Sequence, residues 1–359
     1  MEHFHLMASG NLASGNRGLA ASRWRHAGVA VLATLLLLPL LVLGLAAAIA
    51  GWWLNHALPL SGGSAELSIE SGTSPREVAQ AWVQAGVRSS PDLLYAYFRV
   101  SGQARRIRAG SYEIDPGTTP RQLLAKMVQG IETLEQVRFI EGWTVRQMRQ
   151  ALAKAAHLKQ TTAQMSEREL MAALGQPQMP AEGRFFPDTY VYSRGVSDLA
   201  VLKRAHAAMQ VRLAATWAER HPDSPLKDAD EALILASIVE KETGTAADRG
   251  LVAGVFANRL RIRMPLQTDP TVIYGLGESF DGNLRKRDLL SDTPFNTYTR
   301  NGLPPTPIAL PGVASLRAAV QPQATKAFYF VARGDGSSVF SETLAEHNRA
   351  VNKYQRGGN

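Results

Sequence analysis

The segment DADEALILASIVEKETG, Asp228–Gly244, predicts a buried helix that ends in charge. Asp228 with Glu231 three residues on reads as a capping box, and Gly244 as the stop. Between them Leu233, Ile234, Leu235, Ala236, Ile238 and Val239 cover the whole circumference, and a helix apolar all round needs protein on every side. Glu240 and Glu242 follow at once, with Lys241 between them. At helical spacing Glu240 stands over Ala236 and Ser237, and Glu242 over Leu235 and Ile238. These are nearly opposite faces, so only one of the two can look into a given cleft. A glutamate at the end of a buried helix is partly desolvated, which suits it to protonate a leaving group near neutral pH. Two carboxylates and a lysine in a last turn are also the ordinary chemistry of a solvated helix end. Spacing alone leaves both readings open.

Downstream, Asn258–Arg263 closes a helix in positive charge. Then come Leu266–Gly275, Phe295–Tyr298 and Asn301–Ile308, loops rich in amide, hydroxyl and aromatic groups and poor in charge. Such groups suit sugar hydroxyls and acetamides, and aromatic faces pack on pyranose rings, whereas a phosphate site would want more Arg and Lys. Plain turn chemistry around Pro and Gly offers the same residue types. A hairpin of Phe328–Ala332 and Val339–Ser341 and a terminal helix complete this part. Upstream, Gln150–Leu158, Ser166–Leu174 and Asp198–Arg220 read as amphipathic helices, and Glu182–Tyr190 as an aromatic turn segment.

Three earlier segments share one pattern: LSIESGTSPREVAQAWV from Leu67, SYEIDPGTTPRQLLAKMV from Ser111 and QVRFIEGWTVRQMRQAL from Gln136. Each is a short strand, a turn at Gly72, Gly117 or Gly142, and a helix capped by Ser74, Thr119 or Thr144 with Glu77, Gln122 or Gln147 three residues later. Pro75 and Pro120 take the first helical position, where a missing N–H costs nothing. This unit resembles the opening of a LysM-like glycan-binding module, although a strand leading into a capped helix is also a common device. Pro91–Tyr97 predicts a further helix between the first two copies.

Val29–Ala50 carries no charge and is long enough to span a bilayer as a helix. Arg17, Arg23 and Arg25 precede it and Trp52 and Trp53 come after it, which predicts an N-terminus inside and the remainder outside. The alternative, a cleaved signal peptide, has Ala48-Ile49-Ala50 in its favour and the length of the apolar run against it. The chain has 359 residues, 45% of them hydrophobic and 19% charged, which excludes wholesale disorder and gives two or three domains. It contains no cysteine, so disulfides, thiol nucleophiles and thiolate metal sites are excluded. With 39 Lys and Arg against 31 Asp and Glu the net charge is +8, and the expected topology disfavours nucleic acid as its cause. There is no H-E-x-x-H, and Glu346-His347 reads as a helix surface pair. Ser224-Pro225-Leu226-Lys227 fits S-x-x-K in form only, lacking its K-T-G companion.

ASIVEKET (Ala236–Thr243), VFANRLRIRMPLQTDPTVIYG (Val255–Gly275), FNTYTRNGLPPTPIALPG (Phe295–Gly312), FYFVARGDGSSVFSETLAEHN (Phe328–Asn348) and EGRFFPDTY (Glu182–Tyr190) resemble the motifs of the endolytic murein transglycosylases, the YceG-like family of bacterial inner-membrane enzymes. The resemblance implies an α+β fold with a cytoplasmic tail (1–27), a transmembrane anchor (28–53), a LysM-like βα subdomain (60–150) and a mixed α+β catalytic domain (151–359) in the periplasm. It makes Glu240 the catalytic acid/base, with no cofactor and no metal. The substrate it implies is the glycan strand of peptidoglycan, cut between N-acetylmuramic acid and N-acetylglucosamine to leave 1,6-anhydro ends and terminate nascent strands. Partnership with peptidoglycan synthases would follow from shared location at the inner membrane. Gln267, Thr268, Asp269, Tyr274, Asn296 and Tyr298 are expected to line the glycan cleft. A hydrolase would need a second carboxylate; Glu182 and Asp269 are candidates, read here as binding or loop-ordering groups. A peptidoglycan hydrolase and a non-catalytic wall-binding scaffold are the alternatives.

Overall fold

A computed structural model describes residues 37–357; the tail expected at 1–27 and the first part of the expected anchor lie outside the described residues. The chain divides into two compact units, one ending at Glu132 and the other beginning at Thr133.

The first unit's described part opens on an apolar helix, α1 (Leu37–Asn55), of mean hydropathy 2.1, exposed over residues 37–50, with Trp53 near its end packing edge-on to Tyr97. After it come β1 (Ala65–Ile69), α2 (Pro75–Gln84), α3 (Pro91–Val100), β2 (Gly110–Ile114) and α4 (Pro120–Gln129). β1 and β2 pair antiparallel, with Ala65 opposite Ile114 and Ile69 opposite Gly110. The capping boxes at Ser74 and Thr119 form in full, with proline at the start of each helix. Trp82, Leu94, Phe98, Tyr112, Leu123 and Met127 are fully buried, and the indole N–H of Trp82 donates to the Met127 sulfur at 3.2 Å. Each large side chain buried this way contributes about 1.5–3 kcal/mol, which makes this small core the reason the unit holds together.

The second unit begins with β3 (Leu134–Arg138) and α5 (Val145–Ala153), the third copy of the strand–turn–helix pattern. β3 pairs antiparallel with β4 (Thr189–Ser193), Leu134 opposite Ser193, and lies in the second unit. Thr144 and Gln147 form the third capping box. The helix expected over Gln150–Leu158 is not separate. α5 stops at Ala153 and the chain turns, with His157 at φ 54°. Next come α6 (Glu167–Ala173), α7 (Asp198–Ala218), α8 (Ala229–Glu242), α9 (Arg249–Arg261), α10 (Asp269–Leu276), α11 (Lys286–Leu290), α12 (Val313–Val320), the hairpin β5 (Tyr329–Ala332) with β6 (Ser338–Ser341), and α13 (Leu344–Gln355).

α8 is the axis of this unit. Leu233, Leu235, Ala236, Ile238 and Val239 are buried among side chains of α7, α9 and α12, including Met209, Phe256 and Leu316. Asp228 caps it by accepting from the Glu231 amide at 2.8 Å, but the Glu231 carboxylate reaches back to Lys227 N, one residue earlier than a capping box requires. Gly244 is not the stop. The helix closes at Thr243, whose amide and hydroxyl both return to Val239 O.

Candidate active site at the end of α8

Two loops clamp the last turn of α8. Leu310 N donates to Trp143 O at 2.7 Å and Gly142 N donates to Leu310 O at 2.9 Å, so the β3–α5 turn and the segment before α12 are zipped together. That segment runs along α8: Ile308 N donates to Ser237 Oγ at 3.0 Å, and Gly312 N donates to Glu240 Oε2 at 2.9 Å. Lys241 Nζ donates to Gly142 O at 3.3 Å. Glu240 is half-buried, with one oxygen fixed by a backbone amide. Gly312 is also the N-cap of α12, and the positive end of a helix favours a carboxylate placed there. Such a group is held in one orientation, as a general acid or base must be.

The same turn presents Glu141, which no motif in the sequence singles out. Its carboxyl lies against Gly312, and it is pushed up from the usual range by burial and then by the nearby Glu240, with Arg249 pulling it down. A charged residue just before a turn glycine is unremarkable in sequence, and only the zipping of two distant loops brings it to Glu240.

Glu242 faces elsewhere, as helical spacing requires. It is half-buried, and its carboxyl is pushed up by desolvation, against the Thr268 hydroxyl that donates to it. It lines a cavity of about 460 Å³ with Arg259, Gln267, Asp269, Tyr298 and His347. Arg259 is pinned to Phe328 O and Leu266 O at 2.7 Å each, and the Tyr298 hydroxyl donates to Asp269 Oδ1 at 2.5 Å. His347 stacks on Tyr329 with ring centres 5.3 Å apart, a packed side chain rather than the surface one expected. Three of the six expected binding residues, Gln267, Asp269 and Tyr298, thus share one cavity.

Tyr274 lies in another, of about 630 Å³, with Glu182, Lys241, Thr144 and Ile308. Glu182 is 5% exposed and accepts from Val145 N at 3.0 Å and from the Tyr274 hydroxyl at 3.2 Å. Burial pushes its carboxyl up to about 7, against the Val145 amide and the Tyr274 hydroxyl. Gly183 beside it has φ 80°, and a Cβ there would stand 2.5 Å from the Pro307 ring, so glycine is required on both counts. Thr268 and Asn296 are buried and committed to the protein. Thr268 donates to Glu242; Asn296 donates to the carbonyls of Asp288, Leu289 and Ser291 and accepts from Tyr298 N. They build the walls on which Asp269 and Tyr298 stand.

The YceG-like family matches residues 67–353, most of the chain, and the chain belongs to it. A relative from Bacillus subtilis named endolytic murein transglycosylase is 32% identical over 308 residues, covering 80% of this chain and 84% of the relative. One of the same name from Streptococcus pneumoniae is 25% identical over 336 residues, covering 83% of this chain but 60% of the longer relative. A crystal structure of a yceG-like protein from Listeria monocytogenes superposes with a TM-score of 0.50 at 27% identity, covering 80% of this chain and 99% of that one.

Proposed function

We propose that this chain is a membrane-anchored endolytic murein transglycosylase with Glu240 as its single acid/base. The observation that carries the reading is Glu240 itself: a half-buried carboxyl at the end of an enclosed helix, fixed through Oε2 by the Gly312 amide, with Oε1 taking no hydrogen bond from the described residues. The names of the Bacillus and Streptococcus relatives supply the substrate class.

The Glu240 carboxyl gives its proton to the glycosidic oxygen as the bond from that oxygen to C1 of N-acetylmuramic acid breaks. The electron pair leaves with the N-acetylglucosamine oxygen, and C1 becomes oxocarbenium-like. Glu240, now a carboxylate, takes the proton of the muramic 6-hydroxyl while that oxygen bonds to C1. The product is a 1,6-anhydro end, Glu240 is protonated again, and no water is consumed. One carboxylate suffices for the proton transfers because the nucleophile belongs to the substrate. Gln267, Asp269, Tyr274 and Tyr298 line the two cavities beside α8 and α10 and serve the flanking sugars.

Around this site the remaining parts take their roles. α1, apolar and with Trp52 at its outer end, anchors the chain in the inner membrane and leaves the residues after it in the periplasm. The β1–α2–α3–β2 arrangement supports a LysM-like module that holds the glycan. An enzyme tethered at the site of synthesis acts on nascent strands and ends their elongation, next to the synthases that make them.

The test is mass spectrometry of soluble fragments after the full chain and its Glu240→Gln form act on purified peptidoglycan. Anhydro-ended fragments are expected from the unaltered chain only; full activity in Glu240→Gln would refute the assignment.

A further inference from the structure

Glu141 and Glu240 interlock around two glycines. A Cβ on Gly312 would stand 1.9 Å from Glu141 Oε1 and 2.3 Å from its Cδ. The Glu141 carboxyl therefore rests on the bare Cα of the residue whose amide holds Glu240 Oε2. Gly312 has φ −78°, which any residue adopts, so its need for glycine is one of space. From the other side, a Cβ on Gly142, the residue after Glu141, would meet Glu240 Cγ at 3.9 Å. Glu141 is the more exposed of the pair and is open to a ligand that reaches Glu240. The charged groups bearing on it are Glu240 and Arg249, the first residue of α9, whose buried Nε has no hydrogen-bond partner.

We propose that Glu141 is a second substrate-facing carboxylate of this site, accepting a hydrogen bond from the N-acetylmuramic residue at Glu240 and holding negative charge toward its C1. The inference rests on the reading of Glu240 as the acid/base. When Glu240 protonates the leaving oxygen, positive charge develops at C1, and a preplaced anion stabilises that charge without reorganising. Glu141 takes part in no proton transfer: the one proton moves from Glu240 to the leaving oxygen, and another returns to Glu240 from the 6-hydroxyl as its oxygen bonds to C1. Two acidic groups at a transglycosylase centre are thus compatible with a reaction that uses no water. The second carboxylate serves charge and orientation, where in a hydrolase it would serve a water or a covalent intermediate.

The experiment compares the detergent-solubilised full chain with Glu141→Gln, Glu141→Asp and Glu240→Gln on uncrosslinked peptidoglycan strands, with melting curves for each. Glu141→Gln is expected to give the same anhydro ends with kcat lowered about a hundredfold, KM little changed and an unchanged melting midpoint. Glu141→Asp should recover part of the rate. Full kcat in Glu141→Gln would overturn the inference while the unaltered chain's anhydro products left the functional reading standing. A rate loss matched by a collapsed melting midpoint, with no recovery in Glu141→Asp, would assign Glu141 to the fold and overturn it too. An unaltered chain that makes no anhydro ends would remove the functional reading, and this inference with it.

Discussion

Replacing Glu182 with Gln should stabilise the protein at alkaline pH and leave it unchanged in acid. The side chain is 5% exposed and its carboxyl is pushed from 4.5 to about 7 by burial, which the Val145 amide and Tyr274 hydroxyl only partly offset. The folded chain therefore binds more protons than the unfolded chain between pH 4.5 and about 7, and stability falls as pH rises through that window. At roughly 1.4 kcal/mol for each pKa unit, the ionised carboxylate above pH 7 costs up to about 3 kcal/mol. Gln keeps the shape, still accepts from Val145 N and carries no charge to desolvate. At pH 8.5 the Glu182→Gln midpoint should lie up to about 6–12 °C above that of the unaltered chain, by the usual scaling for a unit of this size. The gap should close toward pH 4.5. Melting curves of the full chain across this range measure it. A variant less stable than the parent at pH 8.5, or a gap that does not change with pH, would show that the Glu182 carboxylate carries no desolvation cost.

Asn296→Ala removes three donated bonds and one accepted bond at a site with no exposure, so a loss of about 2–4 kcal/mol is expected. Hydrogen exchange should show the 285–300 loop opening first. Asp198, 1% exposed, is pushed up by burial, but the hydroxyls and amides of Thr161 and Thr162 outweigh this and hold it below the usual carboxylate range. Its stabilisation is present above the unfolded pKa and lost as pH falls through the depressed one. Asp198→Asn should therefore cost about 2–4 kcal/mol at pH 7, and urea unfolding should show the deficit shrinking at acid pH.

The local chemistry of the fold was largely written in the sequence. Caps at Ser74, Thr119 and Thr144 form as their spacing predicts, because a capping box is a contact between residues three apart and needs no tertiary partner. The opposite facing of Glu240 and Glu242 was legible for the same reason, since helix geometry alone decides it. Pairing was not. Three copies of one strand–turn–helix pattern look equivalent until β3 joins β4, a strand some fifty residues away and in the other unit from β1 and β2. The site divides along the same line. Asp269 and Tyr298 meet at one cavity, whereas Asn296, from a loop of the same composition, turns inward to hold carbonyls. Glu141 was invisible because its neighbour is Gly312, and nothing local to either residue announces the other.

In the proposed reaction the muramic 6-hydroxyl, not water, attacks C1. Digestion of purified peptidoglycan by the full chain in water enriched in heavy oxygen tests it most directly, with the new ends read by mass spectrometry. Anhydro ends free of label are expected, formed only when Glu240 is present. Reducing ends that carry the heavy oxygen would contradict that reaction and place the protein among the hydrolases.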